Sequence, residues 1–448
     1  MGKIAILGGG ESGVGAALLA KAKGFEVFVS ESASINEARK GLLDENGIAY
    51  EEGKHTLESI LDSDEVIKSP GIPYNVEVIV KIQEKFIPII DELEFASRYS
   101  KGKVIAITGT NGKTTTTLLT YQLMVEAGLN VGLAGNIGDS WAGQLLSRDH
   151  DWWVLEVSSF QIDGFVNLRP YVAIILNITP DHLDRYGNSF EKYLFSKLNL
   201  LNNMGPSDHF IYFKEDEYLW KGLSETNVLA HQHEISLKRI VENGSYFDGK
   251  AVHVKNQGDT VSINGEEIAL TGNHNMINVM SAMTAAMLAG ANQEAVKKGL
   301  KDFVNAPHRM QKVAEIDGVV YINDSKGTNV DATFYALSSF GERTMIWIAG
   351  GIDKGNDYSK LYPLIDNKVK ALICLSKDCE KLKTAFQGKI GDISSTQQVK
   401  EAVALASSKA KAGDVVLFSP ACSSFDLFKN YIDRGEQFMS AVNELANK

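Results

Sequence analysis

Val104-Ile105-Ala106-Ile107-Thr108-Gly109-Thr110-Asn111-Gly112-Lys113-Thr114 is the stretch on which the reading of this chain turns. Its first five residues are an apolar run of strand length, and an apolar-periodic helix opens directly after the glycines. Strand, glycine loop, Lys-Thr and helix in that order cradle phosphates. The glycines let backbone N–H groups converge, Lys113 supplies a point charge, and Thr114 can place its hydroxyl on Mg2+. ATP or GTP is the expected ligand. The loop is shorter than the common form: two residues separate Gly109 from Gly112-Lys113, and Ile107 stands where a first glycine is usual.

Upstream, Lys3–Leu7 reads as a strand, Gly8-Gly9-Gly10-Glu11-Ser12-Gly13 as its loop, and Val14–Lys23 as a helix. The strand Glu26–Ser30 then ends at Glu31. This G-x-G-x-x-G unit with a following acid is a dinucleotide-binding pattern, and its physics serves NAD, FAD or a UDP-sugar equally. Val66–Pro73 predicts a strand ending in a proline-glycine loop on the ligand side of that sheet, and a helix over about 93–98 closes the section. Downstream of the phosphate loop come strands near Trp153–Val157 and Val172–Asn177 and helices over about 189–202 and 275–289. Asp248-Gly249 and Asn264-Gly265 turns mark an antiparallel excursion between Tyr246 and Leu270. Asn305-Ala306-Pro307-His308-Arg309 reads as a hinge. Strands at Val319–Ile322, Thr344–Ala349, Ala371–Leu375 and Val415–Phe418 follow, with helical patterns between. The expected fold is α/β with three doubly wound domains: Rossmann-like over 1–98, a central P-loop ATPase over 99–305, and Rossmann-like over 306–448.

The 448 residues are too many for one core, and 44% apolar with 23% charged residues is ordinary globular composition. A net charge of −11 argues against a general nucleic-acid or membrane-surface binder, so anions must be held by local devices. Cys374, Cys379 and Cys422 have no metal-ligand spacing and point to a reducing compartment without a disulfide framework. No leader-like or membrane-length apolar segment is visible, and a cytoplasmic enzyme is expected.

Glu156 closes a strand in Val154-Leu155-Glu156-Val157-Ser158-Ser159-Phe160-Gln161, where a carboxylate beside a phosphate loop is a hard oxygen donor for Mg2+. His182, in Asn177-Ile178-Thr179-Pro180-Asp181-His182-Leu183-Asp184-Arg185, follows another strand and adjoins Asp181, a place suited to chemistry. Lys197 by itself reads as a solvated surface lysine. Gly350-Gly351-Ile352-Asp353-Lys354 repeats the strand-then-glycine arrangement and could hold a carboxylate. Ser419-Pro420-Ala421-Cys422-Ser423-Ser424 ends the last strand and turns hydroxyls and amides toward a ligand crevice. For both, a plain connecting turn is the alternative.

Taken in order, Gly109–Thr114, Gly135-Asn136-Ile137-Gly138, Glu156–Gln161, Asp181-His182-Leu183-Asp184, His274-Asn275 with Asn278, His308-Arg309 and Asn323-Asp324-Ser325-Lys326 resemble the Mur ligases. The short phosphate loop is that family's own form. Ser-Ser-Phe-Gln after Glu156 and Ser-Pro-Ala-Cys-x-Ser before the last helix resemble the branch that joins D-glutamate to UDP-N-acetylmuramoyl-L-alanine for peptidoglycan precursor synthesis. The resemblance implies that ATP phosphorylates the substrate carboxylate and that the amine attacks the acyl phosphate. It implies a nucleotide site of Gly109, Thr110, Asn111, Gly112, Lys113, Thr114, Thr115, Asn275, Asn278, Arg309, Asp324 and Lys326. It assigns catalysis to Lys113, Glu156, His182 and Lys197, one Mg2+ to Thr114 with Glu156, and a second to His182 with a carbamylated Lys197. The UDP end falls to Ser12, Gly13, Glu31, Ser32, Gly71, Asn136 and Ser158, and D-glutamate to Thr328, Lys354, Ser424, Phe425 and Tyr431. Ala33 replaces an arginine of some members, and Gly327 a common alanine. The resemblance also implies that the C-terminal domain closes over the site. No nucleic acid, no membrane insertion and a monomeric state are expected. Two other classes stay open at this point: a nicotinamide- or flavin-dependent oxidoreductase, built on the first glycine motif, and a regulatory NTP-binding module without ligase chemistry.

Overall fold

A computed structural model describes residues 2–256, 259–366 and 368–447. The chain divides into two compact units, 1–303 and 304–448. The first unit carries two sheets. In one, β1 (Lys3–Leu7), β2 (Glu26–Glu31), β3 (Ala49–Glu52), β4 (Glu65–Lys68) and β5 (Ile89–Ile90) run parallel in the order β3-β2-β1-β4-β5. The other contains β6 (Lys103–Thr108), β7 (Val131–Gly135), β8 (Trp152–Glu156), β9 (Val172–Ile175), β10 (His209–Phe213), β11 (His231–Ser236), β12 (Gly244–Phe247), β13 (Ala251–Asn256) and β14 (Asp259–Asn264). Their order is β14-β13-β12-β11-β10-β9-β6-β8-β7. Only β12-β13 and β13-β14 are antiparallel, which is the excursion that the Asp-Gly and Asn-Gly turns forecast.

The apolar strands are covered on both faces, and their period of two divides them between cores. Val104 and Ala106 of β6 join one cluster, whereas Ile105 and Ile107 join another. The first of these clusters also contains Ile4, Ile6 and Val29, so both sheets of unit 1–303 share a core. The helix Lys113–Glu126 packs on the other face with the helix Asn273–Leu288.

Unit 304–448 holds β15 (Gln311–Ile316), β16 (Val319–Asn323), β17 (Met345–Ala349), β18 (Val369–Leu375), β19 (Ile393–Thr396) and β20 (Val415–Phe418) in the order β15-β16-β20-β17-β18-β19. All pairs are parallel except the β15-β16 hairpin, a strand that the sequence reading left out. The expectation of no disulfide also needs correction. Cys374, near the end of β18, bonds to Cys379, because the turn between them brings their Cα atoms to 6.0 Å. Cys422 is a buried free thiol. Among the described residues no helix is long and apolar enough to cross a membrane.

Candidate active site

β9, β6, β8 and β7 are neighbours, and the residues singled out in the central section follow their C-terminal ends. After β6, Gly112 takes a positive φ of 87° and starts the helix Lys113–Glu126. A side chain there would be strained and would meet Asn278 Oδ1. The loop is braced from β9's extension: Asn177 Oδ1 accepts from the Asn111 N–H at 2.8 Å and Asn177 Nδ2 donates to the Asn111 carbonyl at 3.0 Å. Thr110 Oγ1 donates to the Thr179 carbonyl at 3.0 Å and accepts from the Thr179 N–H at 2.9 Å. Lys113 Nζ lies over the loop's own carbonyls, 2.8 Å from Gly109 and 2.9 Å from Thr110. Thr114 and Thr115 are buried in the first helical turn. Asn278 donates to Asn275 Oδ1 at 3.2 Å and accepts from Thr116 Oγ1 at 3.2 Å, so Asn278 sits against the loop's helix and holds Asn275 beside it.

Glu156 is 1% exposed at the end of β8. Asn136 Nδ2 donates to its Oε1 at 2.7 Å, while its Oε2 is buried without a partner. An orphaned carboxylate oxygen beside a phosphate loop suits a hard cation. Among the described residues no group of three His, Cys, Asp or Glu side chains could hold a metal. A magnesium there would therefore complete its shell with hydroxyl, phosphate and water oxygens, as that ion commonly does. His182 has φ 52°, a left-handed conformation uncommon for a non-glycine residue, with Asp181 Oδ2 3.8 Å from Nε2. Lys197 is no surface lysine: it is 2% exposed and donates to the Gly109 carbonyl at 3.0 Å. Burial, then the charge of Lys113, push its pKa well below the usual lysine value, with Asp181, Asp163 and Glu156 opposing. Aromatic rings join the two: His182 meets Phe160, Phe160 stacks on Tyr186, Tyr186 meets Tyr193, and Lys197 Nζ lies 4.9 Å over Tyr193.

On the first sheet, Gly13 is buried where a Cβ would collide with the Gly8 carbonyl, which forces glycine. Glu31 accepts from the Gly9 N–H at 2.8 Å and the Ala33 N–H at 2.9 Å. Burial would raise its pKa, but those N–H groups prevail and the net shift is downward. Ser12 is half-buried, and Ser32 and Gly71 are exposed at the same end of the sheet. Ser158 caps a short helix, accepting from the Gln161 N–H at 3.3 Å.

In unit 304–448, β16, β20 and β17 are neighbours, and the expected residues follow their C-terminal ends. Asp324 is buried, accepts from Ser419 Oγ at 2.8 Å, and is pushed up to about 6 by burial, against the opposing charge of Arg309. Asp324 and Ser419 fill the space a methyl at position 327 would need. The Lys326 N–H donates to the His308 carbonyl at 3.1 Å, and its Nζ lies 5.3 Å over Tyr431. Thr328, Lys354 and Phe425 are exposed; Ser424 is buried.

Three family models match the chain: the MurD N-terminal domain over 3–78, the Mur ligase middle domain over 107–286, and the Mur ligase glutamate ligase domain over 308–422. The chain belongs to the Mur ligase family. It is 47% identical to a UDP-N-acetylmuramoylalanine–D-glutamate ligase of Cytophaga hutchinsonii, covering 99% of each chain. It is 45% identical to the enzyme of that name from Christiangramia forsetii, again over 99% of each. A Mur ligase fold is also seen in the solved MurC of Thermotoga maritima, with TM-score 0.63 at 20% identity over 99% of this chain and 100% of that one. A pseudomurein peptide ligase of Methanothermus fervidus gives 0.65 at 18% identity over 99% and 100%. The sequence reading of this Mur ligase missed Asn177, Thr179 and Tyr193, whose hydroxyl lies 3.1 Å from Thr110 Oγ1, as loop supports. Only the place of Asn177 and Thr179 just past an apolar strand could have signalled them.

Proposed function

We propose that this Mur ligase joins D-glutamate to UDP-N-acetylmuramoyl-L-alanine with ATP in cytoplasmic peptidoglycan precursor synthesis. The observation that carries the chemistry is the buried, unpartnered Glu156 Oε2 beside a phosphate loop braced for a triphosphate. Full-length likeness to relatives named as D-glutamate ligases supports the substrates.

A carboxylate is a poor electrophile at neutral pH, and phosphorylation turns one of its oxygens into a leaving group. A bond forms between the substrate carboxylate oxygen and the γ-phosphorus as the bond to ADP breaks. The neutral amine of D-glutamate then attacks the carbonyl carbon, and the tetrahedral intermediate loses a proton and expels phosphate. Lys113 would offset the charge of the transferring phosphoryl group. Thr114 with Glu156, and His182 with Lys197, would hold two Mg2+ ions, which supply Lewis-acid stabilisation of phosphoryl oxygens when bound. An ammonium cannot ligate a cation. The depressed pKa of Lys197 favours a neutral amine, which can add CO2 and become an anionic carbamate.

Residues 1–98 would receive the UDP-sugar, 99–305 ATP, and 306–448 the amino acid. Ser12, Gly13, Glu31, Ser32, Gly71, Asn136 and Ser158 would meet the UDP-sugar. Thr328, Lys354, Ser424, Phe425 and Tyr431 would meet D-glutamate. Asn275, Asn278, Arg309, Asp324 and Lys326 would meet the nucleotide. A monomer suffices for this scheme. The test is phosphate release from ATP with UDP-N-acetylmuramoyl-L-alanine and a panel of amino acids. D-Glutamate-dependent release is expected. Preference for another amino acid overturns the substrate, and release indifferent to every amino acid overturns the ligase reading.

A further inference from the structure

The loop after β4 is held in an unusual way. Lys68, 3% exposed, donates its ammonium to the carbonyls of Ser69 and Ile72, both at 3.0 Å. Arg185, far along the chain, donates Nη2 to the Pro70 carbonyl and Nη1 to the Gly71 carbonyl, both at 3.2 Å. Two cationic side chains thus take every carbonyl from Ser69 to Ile72. A trans peptide sets N–H opposite C=O, so the Gly71 N–H is turned away from the guanidinium. The same guanidinium lies 4.3 Å over the ring of Phe160, whose edge-on partner is His182 at 5.3 Å. The Arg185 N–H also donates to the His182 carbonyl at 3.0 Å.

We infer that Lys68 and Arg185 are positioning residues for the UDP-sugar acid: together they set the 69–72 loop, and Arg185 ties that loop to the His182 turn through Phe160. The inference rests on the proposed substrate. Lys68 bonds to the loop and not to the His182 turn; its ammonium also lies 4.8 Å over the Tyr74 ring and feels the charges of Asp91, Arg185 and Asp163. Arg185 acts on the loop and on the turn. Its planar fork matters as well as its charge, because the flat guanidinium gives one N–H from each terminal nitrogen to a carbonyl while its face lies on the Phe160 ring, which a point-charge ammonium does not reproduce.

Calorimetric titration of the metal-free protein with UDP-N-acetylmuramoyl-L-alanine tests this, beside steady-state KM and kcat. Arg185→Ala should weaken binding roughly 10- to 100-fold, the loss of two charge-assisted bonds. It should also lower kcat, leave the KM for ATP in place, and recover part of the binding with millimolar methylguanidinium. Arg185→Lys should fall between wild type and alanine, and carries the test if the alanine variant does not fold. Lys68→Met should raise the KM for the UDP-sugar and show no response to methylguanidinium. Binding by Arg185→Ala and Arg185→Lys within twofold of wild type, or an equal loss of ATP affinity, overturns the positioning role. Failure of the wild-type protein itself to bind the UDP-sugar overturns the substrate reading instead.

Discussion

Replacing Asn177 by alanine removes both side-chain bonds to the Asn111 backbone, at 2.8 Å and 3.0 Å. Each such bond contributes about 0.5–1.5 kcal/mol net, so the loop's working conformation loses about 1–3 kcal/mol against its alternatives. The backbone bond from the Thr110 N–H to the Asn177 carbonyl, 2.9 Å, and the Thr110–Thr179 pair survive, so the loop stays attached to β9. The lost free energy then appears as a smaller competent fraction and weaker apparent ATP affinity. At 1.4 kcal/mol per tenfold, half-saturation by ATP should rise about 5- to 150-fold. The assay is phosphate release at saturating UDP-sugar and amino acid, with ATP varied, beside a thermal melt. The KM for the UDP-sugar should hold, since the contacts proposed for it lie elsewhere. An ATP half-saturation within twofold of wild type, at an unchanged melting temperature, would refute the reasoning.

Lys197→Ala should abolish ligation, and short-chain carboxylates such as acetate should restore part of it by standing in for the carbamate; intact activity, or loss without rescue, counts against the modification. His233 is buried and its pKa is pushed down to about 4 by burial and then by neighbouring His209 and His231. The unfolded chain takes up that proton near pH 6.5, so this stability is full above 6.5 and is lost as pH falls toward 4, about 2 kcal/mol of it between pH 7.5 and 5. Denaturant melts of His233→Gln at both pH values should show a pH-dependent loss smaller by about that amount. Glu94 is fully buried, and its Oε2 accepts from the N–H groups of Val166, Asn167 and Leu168 at 3.0, 3.0 and 2.8 Å. Glu94→Ala strands all three and should cost about 3–5 kcal/mol in denaturant melts, with Glu94→Gln losing less.

What was legible in the sequence is what neighbouring residues decide among themselves. The apolar run of β6, the positive-φ glycine before Lys113 and the helix after it are set within a dozen residues. The same holds for Gly13 and the turns of the β12-β14 excursion. β15 was missed because Gln311-Lys312-Val313-Ala314-Glu315-Ile316 is half-covered and mixed in polarity, and only pairing with β16 makes it a strand. Lys197 read as a surface residue because its helix, Phe190–Leu198, is amphipathic by pattern, and which face is covered depends on what packs there. The Cys374–Cys379 bond depended on how the chain turns after β18.

By itself, the order of residues determined the α/β alternation, the phosphate loop, the glycine positions and the kinds of side chain that stand after each strand. Only the tertiary structure decided that Asn177 braces Asn111, that Lys197 is buried against Gly109, that Glu94 holds Val166–Leu168, and that Arg185 reaches Pro70 and Gly71. These partners lie 66, 88, 72–74 and 114–115 positions apart. A hydrogen bond over such separations leaves no local pattern in the chain, because its geometry exists only once parallel strands have brought their C-terminal ends side by side.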